Sequence, residues 1–237
     1  MEGKDTIKYI IGIDEVGRGP LAGPVAVCAF MMRINYELPI DDYEIKLPKL
    51  KDSKKLSKKQ REIWFDFLKK QKEEENCDYA VSFVSPENID KFGIAKCIQK
   101  ALNKSLTEVA TRGTLLEKVA SQKTQNFSVF TPEGPYADKN FESSAPLTTL
   151  KIFLDGGLKA PEEYVNQETI IRGDELHPVI SMASIVAKVT RDRLMEKFGK
   201  EYPEYGFEKH SGYGTKAHYE AIKTHGQTPI HRKSFIH

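Results

Sequence analysis

Three cysteines in 237 residues, widely spaced at Cys28, Cys77 and Cys97 with no Cys-x-x-Cys pair, leave no material for a disulfide framework or a zinc ribbon. The sequence is equally poor in long apolar runs. None approaches the roughly 20 residues a membrane-spanning helix needs, and the opening MEGKDTIKYI has no extended apolar core behind its charges. Neither sign of charge prevails: 36 Lys and Arg against 34 Asp and Glu give a net +2, which by itself argues for no nucleic-acid partner. These absences point to a soluble, cytoplasmic chain in a reducing compartment with no membrane partner. A hydrophobic content of 39% suffices for the core of a single α/β domain over 1–237.

What is present is unevenly placed. Residues 46–59, KLPKLKDSKKLSKK, are dense in lysine, and HRK at 231–233 forms a smaller basic cluster. Lys8–Ile13 and Val25–Met32 read as buried strands joined as a hairpin through a glycine-rich loop. Ser57 and Gln60 make a capping box ahead of Ile63, Trp64, Phe67 and Leu68, which share one helical face. Tyr79–Val84 reads as a strand, Ser85-Pro86 caps a short helix, and a longer helix is expected over Ile94–Ala110. Residues 121–149 lack periodicity and read as an insertion within the domain. Further strands are expected at Lys151–Leu154 and Glu168–Ile171, then a long helix over Ile180–Phe198 with a polar stripe of Ser184, Lys188 and Arg191. From about residue 200 the region is helical, with one helix over Thr215–Thr224; no heptad stripe argues against a monomer.

Three of these strands stop at or just before an acid: Asp14 with Glu15, Asp155, and Asp174. Functional groups gather at strand ends in α/β sheets, so four carboxylates could converge. Like charges held together call for a hard divalent cation, Mg²⁺ or Mn²⁺, and two such ions suit in-line phosphoryl transfer. Acids also punctuate strand ends simply as turn formers, and spacing alone does not separate the two readings. The loop Gly17-Arg18-Gly19-Pro20-Leu21-Ala22-Gly23-Pro24 lets backbone approach a ligand and offers N–H groups to oxygens, yet matches neither a Walker loop nor a dinucleotide fingerprint.

Taken together, GIDEVGRGPLAGPVAV at 12–27 resembles the signature of the type 2 ribonucleases H, the bacterial ribonuclease HII group. The resemblance continues in order through DSKKLS at 52–57, FLDG at 153–156, RGDE at 172–175, SMASIVAKVTRDRLM at 181–195, HSGYGTKAH at 210–218 and HRKSF at 231–235. It implies a ribonuclease H-like mixed sheet flanked by helices, with a helical C-terminal region. It implies a metal-dependent endoribonuclease in which Asp14, Glu15, Asp155 and Asp174 bind two Mn²⁺ or Mg²⁺ ions. The substrates implied are RNA–DNA hybrids and duplex DNA containing ribonucleotides, cut to leave 3′-hydroxyl and 5′-phosphate ends. Gly17, Arg18 and Gly19 would contact the ribose 2′-hydroxyl, and Tyr213 would stack on the following sugar, because that hydroxyl is what tells RNA from DNA. Asp52, Ser53 and Lys54 would lie near the other strand, with Ser184, Lys188 and Arg191 facing phosphates. The pattern departs at Phe92-Gly93-Ile94, where many relatives carry an asparagine before the isoleucine, and at the long 121–149 insertion. The related type 3 enzymes usually carry an extra N-terminal domain and lack the arginine between the glycines, so type 2 is expected.

His210, His218 and His225 are expected as surface or capping groups rather than general bases. Two rivals can be stated. A non-catalytic hybrid binder would have no use for a carboxylate quartet that opposes phosphate binding, and a small-molecule phosphatase would have little use for Tyr213 or the lysine segment.

Overall fold

The computed structural model describes residues 8–33, 55–123 and 149–236. Asp52, Ser53, Lys54 and most of the expected insertion fall outside the described residues. Strands β1 (Tyr9–Val16), β2 (Val25–Arg33), β3 (Cys77–Val84), β4 (Leu150–Asp155) and β5 (Gln167–Ile170) form one sheet in the order β3-β2-β1-β4-β5. The expected hairpin is present, with β2 antiparallel to both β1 and β3, whereas β1, β4 and β5 run parallel. The sheet is therefore mixed.

Period-two alternation along β2 feeds two cores. Val25, Val27, Ala29 and Met31 pack on one face with Ile98, Leu102, Leu106 and Val109 of α3 (Ile94–Lys123). Cys28, Phe30 and Met32 pack on the other with Trp64, Phe67 and Leu68 of α1 (Lys58–Glu73) and the first half of α5 (Pro178–Glu201). The Ser57/Gln60 box that starts α1 is formed in both directions. Trp64 is fully buried, and truncating it to alanine would cost about 3–5 kcal/mol. Ser85 caps α2 (Pro86–Phe92), and two short helices, α4 (Gly173–Leu176) and α6 (Phe207–His210), precede α7 (Lys216–His225).

Sequence patterning undercounts α3, which continues past Ala110 through Gly113. A glycine there reads as a helix breaker, but a Cβ at Gly113 would stand 2.9 Å from the Met31 side chain, so close packing explains it. Of the basic HRK cluster only Lys233 is exposed. His231 and Arg232 are buried, and the segment is pinned by an Ala22–His231 bridge and by the Arg232 N–H donating to the Leu21 carbonyl at 2.8 Å.

Candidate active site

Parallel register delivers the acids. Ile13 pairs with Leu154, so Asp14 and Asp155 follow at adjoining strand ends, and Asp155 itself pairs with Ile170 of β5. Asp14 and Glu15 lie within β1 rather than after it. Asp14 shares a face with Gly12, where a Cβ would stand 2.2 Å from the Val179 backbone, so α5 seats directly on the strand. That seating brings the Ser184 hydroxyl of α5 to hydrogen-bond Asp14.

An open cleft of about 450 Å³ is lined by Asp14, Glu15, Asp155, Ser184, Lys188, Tyr213, Arg61 and the Gly17-Arg18-Gly19 loop. Burial pushes the Asp14 carboxyl well above its ordinary range; the Ser184 bond opposes this, and the charges of Glu15 and Asp155 add to it. Burial also raises Glu15, against the pull of Arg18 and with the repulsion of Asp155. Arg18 donates to Glu15 Oε1 at 2.9 Å, while Glu15 Oε2 is buried without a hydrogen-bond partner. Crowded hard oxygen donors, one of them buried and unsatisfied, fit a divalent cation. Among the described residues, however, no three Asp, Glu, His or Cys side chains are already drawn together as a metal cage.

Asp174 is placed differently from its expected strand end. It sits in α4, fully buried, where Ser181 Oγ donates to its carbonyl at 2.6 Å and the neighbouring Gly173 N–H donates to Asp155 Oδ1 at 2.6 Å. Arg172 just before it holds a left-handed backbone at φ 58°, uncommon outside glycine, with its guanidinium on Glu175.

The polar stripe on α5 divides. Ser184 and Lys188 face the cleft, with Lys188 held by Asp192 at 2.8 Å. Arg191, expected to face phosphate, is instead fully buried and donates to the carbonyls of Pro24 (2.9 Å), Ser211 (3.0 Å) and Ala22 (3.3 Å). The helix runs from the cleft to underneath the loop, so the same face changes from solvent to interior. Arg232 completes the clamp, donating to Gly17 O (2.6 Å), Arg18 O (2.9 Å) and Gly23 O (2.9 Å). Burial and the nearby Arg191 lower Arg232 to about 10, which leaves it charged at neutral pH. Because the peptides are trans, carbonyls drawn toward Arg232 turn the N–H groups of Arg18 and Gly19 the opposite way. Gly17 is required here: its φ is +88°, and a Cβ would stand 2.3 Å from Arg191 Nε.

Sequence reasoning misses both Arg61 and the clamp role of Arg232. Arg61 follows the capping box by one residue, which was the available signal, and it is tied to Asp192 at 3.9 Å. The histidine expectation is corrected for His218, which is fully buried and contacts His231; His210 is half-buried and His225 exposed.

A mixed five-stranded sheet carrying clustered carboxylates at the ends of parallel strands defines a ribonuclease H-like nuclease fold. The Ribonuclease HII family model matches residues 11–134 and 147–237. Ribonuclease HII of Bacillus cytotoxicus is 41% identical over 232 residues, covering 98% of this chain and 70% of that protein. Ribonuclease HII of Endomicrobium trichonymphae is 38% identical over 95% of this chain and 84% of its own length. The crystal structure of ribonuclease H2 from Pyrococcus horikoshii superposes with a TM-score of 0.59 at 25% identity, covering 96% of this chain and 94% of that one. The chain belongs to the ribonuclease HII family. It is a hydrolase of the endoribonuclease class, acting on RNA–DNA hybrids, in a metal-dependent family.

Proposed function

We propose that this chain, besides cutting the RNA strand of hybrids, incises duplex DNA on the 5′ side of embedded ribonucleotides by a two-metal-ion mechanism, leaving 3′-hydroxyl and 5′-phosphate ends. The observation that carries this reading is a single cleft holding Asp14, Glu15 and Asp155 beside both the Gly17-Arg18-Gly19 loop and Tyr213. Asp14, Glu15, Asp155 and Asp174 would hold Mn²⁺ or Mg²⁺, Asp174 being linked to Asp155 through its neighbour Gly173. Such ions supply Lewis-acid stabilisation of the attacking and leaving oxygens in an in-line displacement.

The chain's own groups do the rest. The N–H groups of Arg18 and Gly19 meet the 2′-hydroxyl, which can both donate and accept. Tyr213, 44% exposed at the mouth, offers a ring for the next sugar to stack on. Arg18 is exposed with its guanidinium on Glu15, where it would also meet a phosphate entering the cleft. Arg61 and Lys188, both held by Asp192, position the backbone phosphates. The reading extends to a cytoplasmic monomer; among the described residues no helix is long and apolar enough to cross a membrane.

The test is cleavage of a labelled duplex containing one ribonucleotide, with Mg²⁺, Mn²⁺ or EDTA, for the parent chain and Asp14→Asn. Incision 5′ of the ribonucleotide that requires metal and is abolished by the substitution is expected. Equal cutting of all-DNA duplex would overturn the 2′-hydroxyl reading.

A further inference from the structure

Behind the cleft lies a buried pair of histidines whose hydrogen bonds admit only one protonation pattern. His218 Nδ1 is 2.9 Å from the Tyr213 carbonyl, which can only accept, so that nitrogen carries a proton. The Thr228 backbone N–H, which can only donate, reaches His231 Nδ1 at 2.8 Å, so that nitrogen carries none. The two Nε2 atoms stand 3.1 Å apart, and a hydrogen bond between them requires His231 to donate and His218 to accept. Both rings are then neutral, in opposite tautomers. They are enclosed by Phe207 and by His210, which stacks on His218 at 4.7 Å, with Tyr205 against His231.

The next residue of the same segment is Arg232, whose guanidinium holds the carbonyls of Gly17 and Arg18. One buried dipeptide therefore grips both sides of the ribose-sensing mouth. Its arginine holds the glycine loop, and its histidine holds Tyr213 through His218. Ser211, at φ 50°, and Gly212, at φ +83°, give the chain before Tyr213 a shape that needs such restraint.

We propose that His218 and His231 are positioning residues that, with Arg232, set the spacing between Tyr213 and the Gly17-Arg18-Gly19 loop and so the fit to a ribose at the cut junction. This rests on the reading of Tyr213 as a substrate contact. Burial favours the neutral pair: it lowers His218, and burial with the His218 ring lowers His231 to about 4.

A double-mutant cycle tests it, using kcat/KM on a single-ribonucleotide duplex with saturating Mg²⁺ and a melting curve for each variant. His218→Phe keeps the ring volume but removes both hydrogen bonds, and a misplaced contact predicts a loss of about 10- to 100-fold. His218→Asn, which retains a donor near the Nδ1 position, should recover part of that loss. In the Tyr213→Ala background, His218→Phe should cost no more than about 3-fold, because its effect runs through the missing ring. Losses that simply add would mark a merely structural role and overturn the proposal. A parental rate for His218→Phe alongside an impaired Tyr213→Ala overturns the histidine device alone. A parental rate for Tyr213→Ala removes the substrate contact and the device together. If His218→Phe does not fold, ¹⁵N histidine spectra of the parent chain at pH 7 decide: His218 protonated at Nδ1 and His231 at Nε2 is expected, and any other pattern overturns it.

Discussion

The front and the back of the glycine loop are opposite electrostatic environments a few residues apart. In front, burial and then the neighbouring carboxylate charges raise Asp14 and Glu15, and a carboxylate oxygen of Glu15 is buried unsatisfied. Behind, Arg191 and Arg232 are buried more completely than any of these acids, yet each guanidinium is matched by three backbone carbonyls. Burial of charge is thus not a single kind of feature. Where partners are supplied it fixes geometry, and where they are withheld it creates a demand that a cation can meet.

This contrast can be broken from either side. The largest effect is expected at the front, where Asp14→Asn should lower cleavage by about 10³-fold or more while leaving the melting temperature unchanged or raised, since it removes a repulsive buried charge. Activity falling together with stability would show that Asp14 also holds the fold.

At the back, Arg232→Leu leaves three buried carbonyls without their donor, and urea titration should show a loss of about 3–5 kcal/mol. A loss under about 1 kcal/mol would mean that water replaces the guanidinium.

Acid should also separate the two regions. An unfolded histidine takes a proton near pH 6.5, but His231 in the fold resists until about 4. Between those values the unfolded chain binds protons that the native chain does not. Its share of stability is therefore full above about pH 6.5 and is lost as the pH falls toward 4. The raised Asp14 and Glu15 act with the opposite sign, because the folded chain protonates them first. Unfolding of the metal-free protein across this range should be less acid-sensitive in His231→Gln than in the parent; an unchanged slope would place the titration elsewhere.

The smallest effect is expected at the mouth. Lys188→Ala should weaken substrate binding modestly and reduce the salt dependence of log K by about one unit of slope, as for one lost phosphate contact. An unchanged slope would leave Lys188 as the partner of Asp192 and nothing more.

Much of this was legible along the chain because it depends on local periodicity. The α1 capping box, the β1–β2 hairpin and the helix carrying Ser184 and Lys188 follow from spacings within a few residues. Arg191 was misjudged for the same reason: its spacing from Lys188 places it on the polar face, and nothing nearby announces that residues 22–24 and 211 will cover that face. His231 and Arg232 read only as part of a basic cluster because their partners, at 17, 18, 23 and 218, are remote in sequence.

The order of residues by itself determined the five strands and the starts of the main helices, the acids at the ends of β1 and β4, and the family. It did so because side-chain period, caps and motifs are properties of neighbouring residues. Only the tertiary structure decided which acid is fully buried, which arginines turn inward, and which histidines meet, because those outcomes depend on what packs against each face after distant segments have come together.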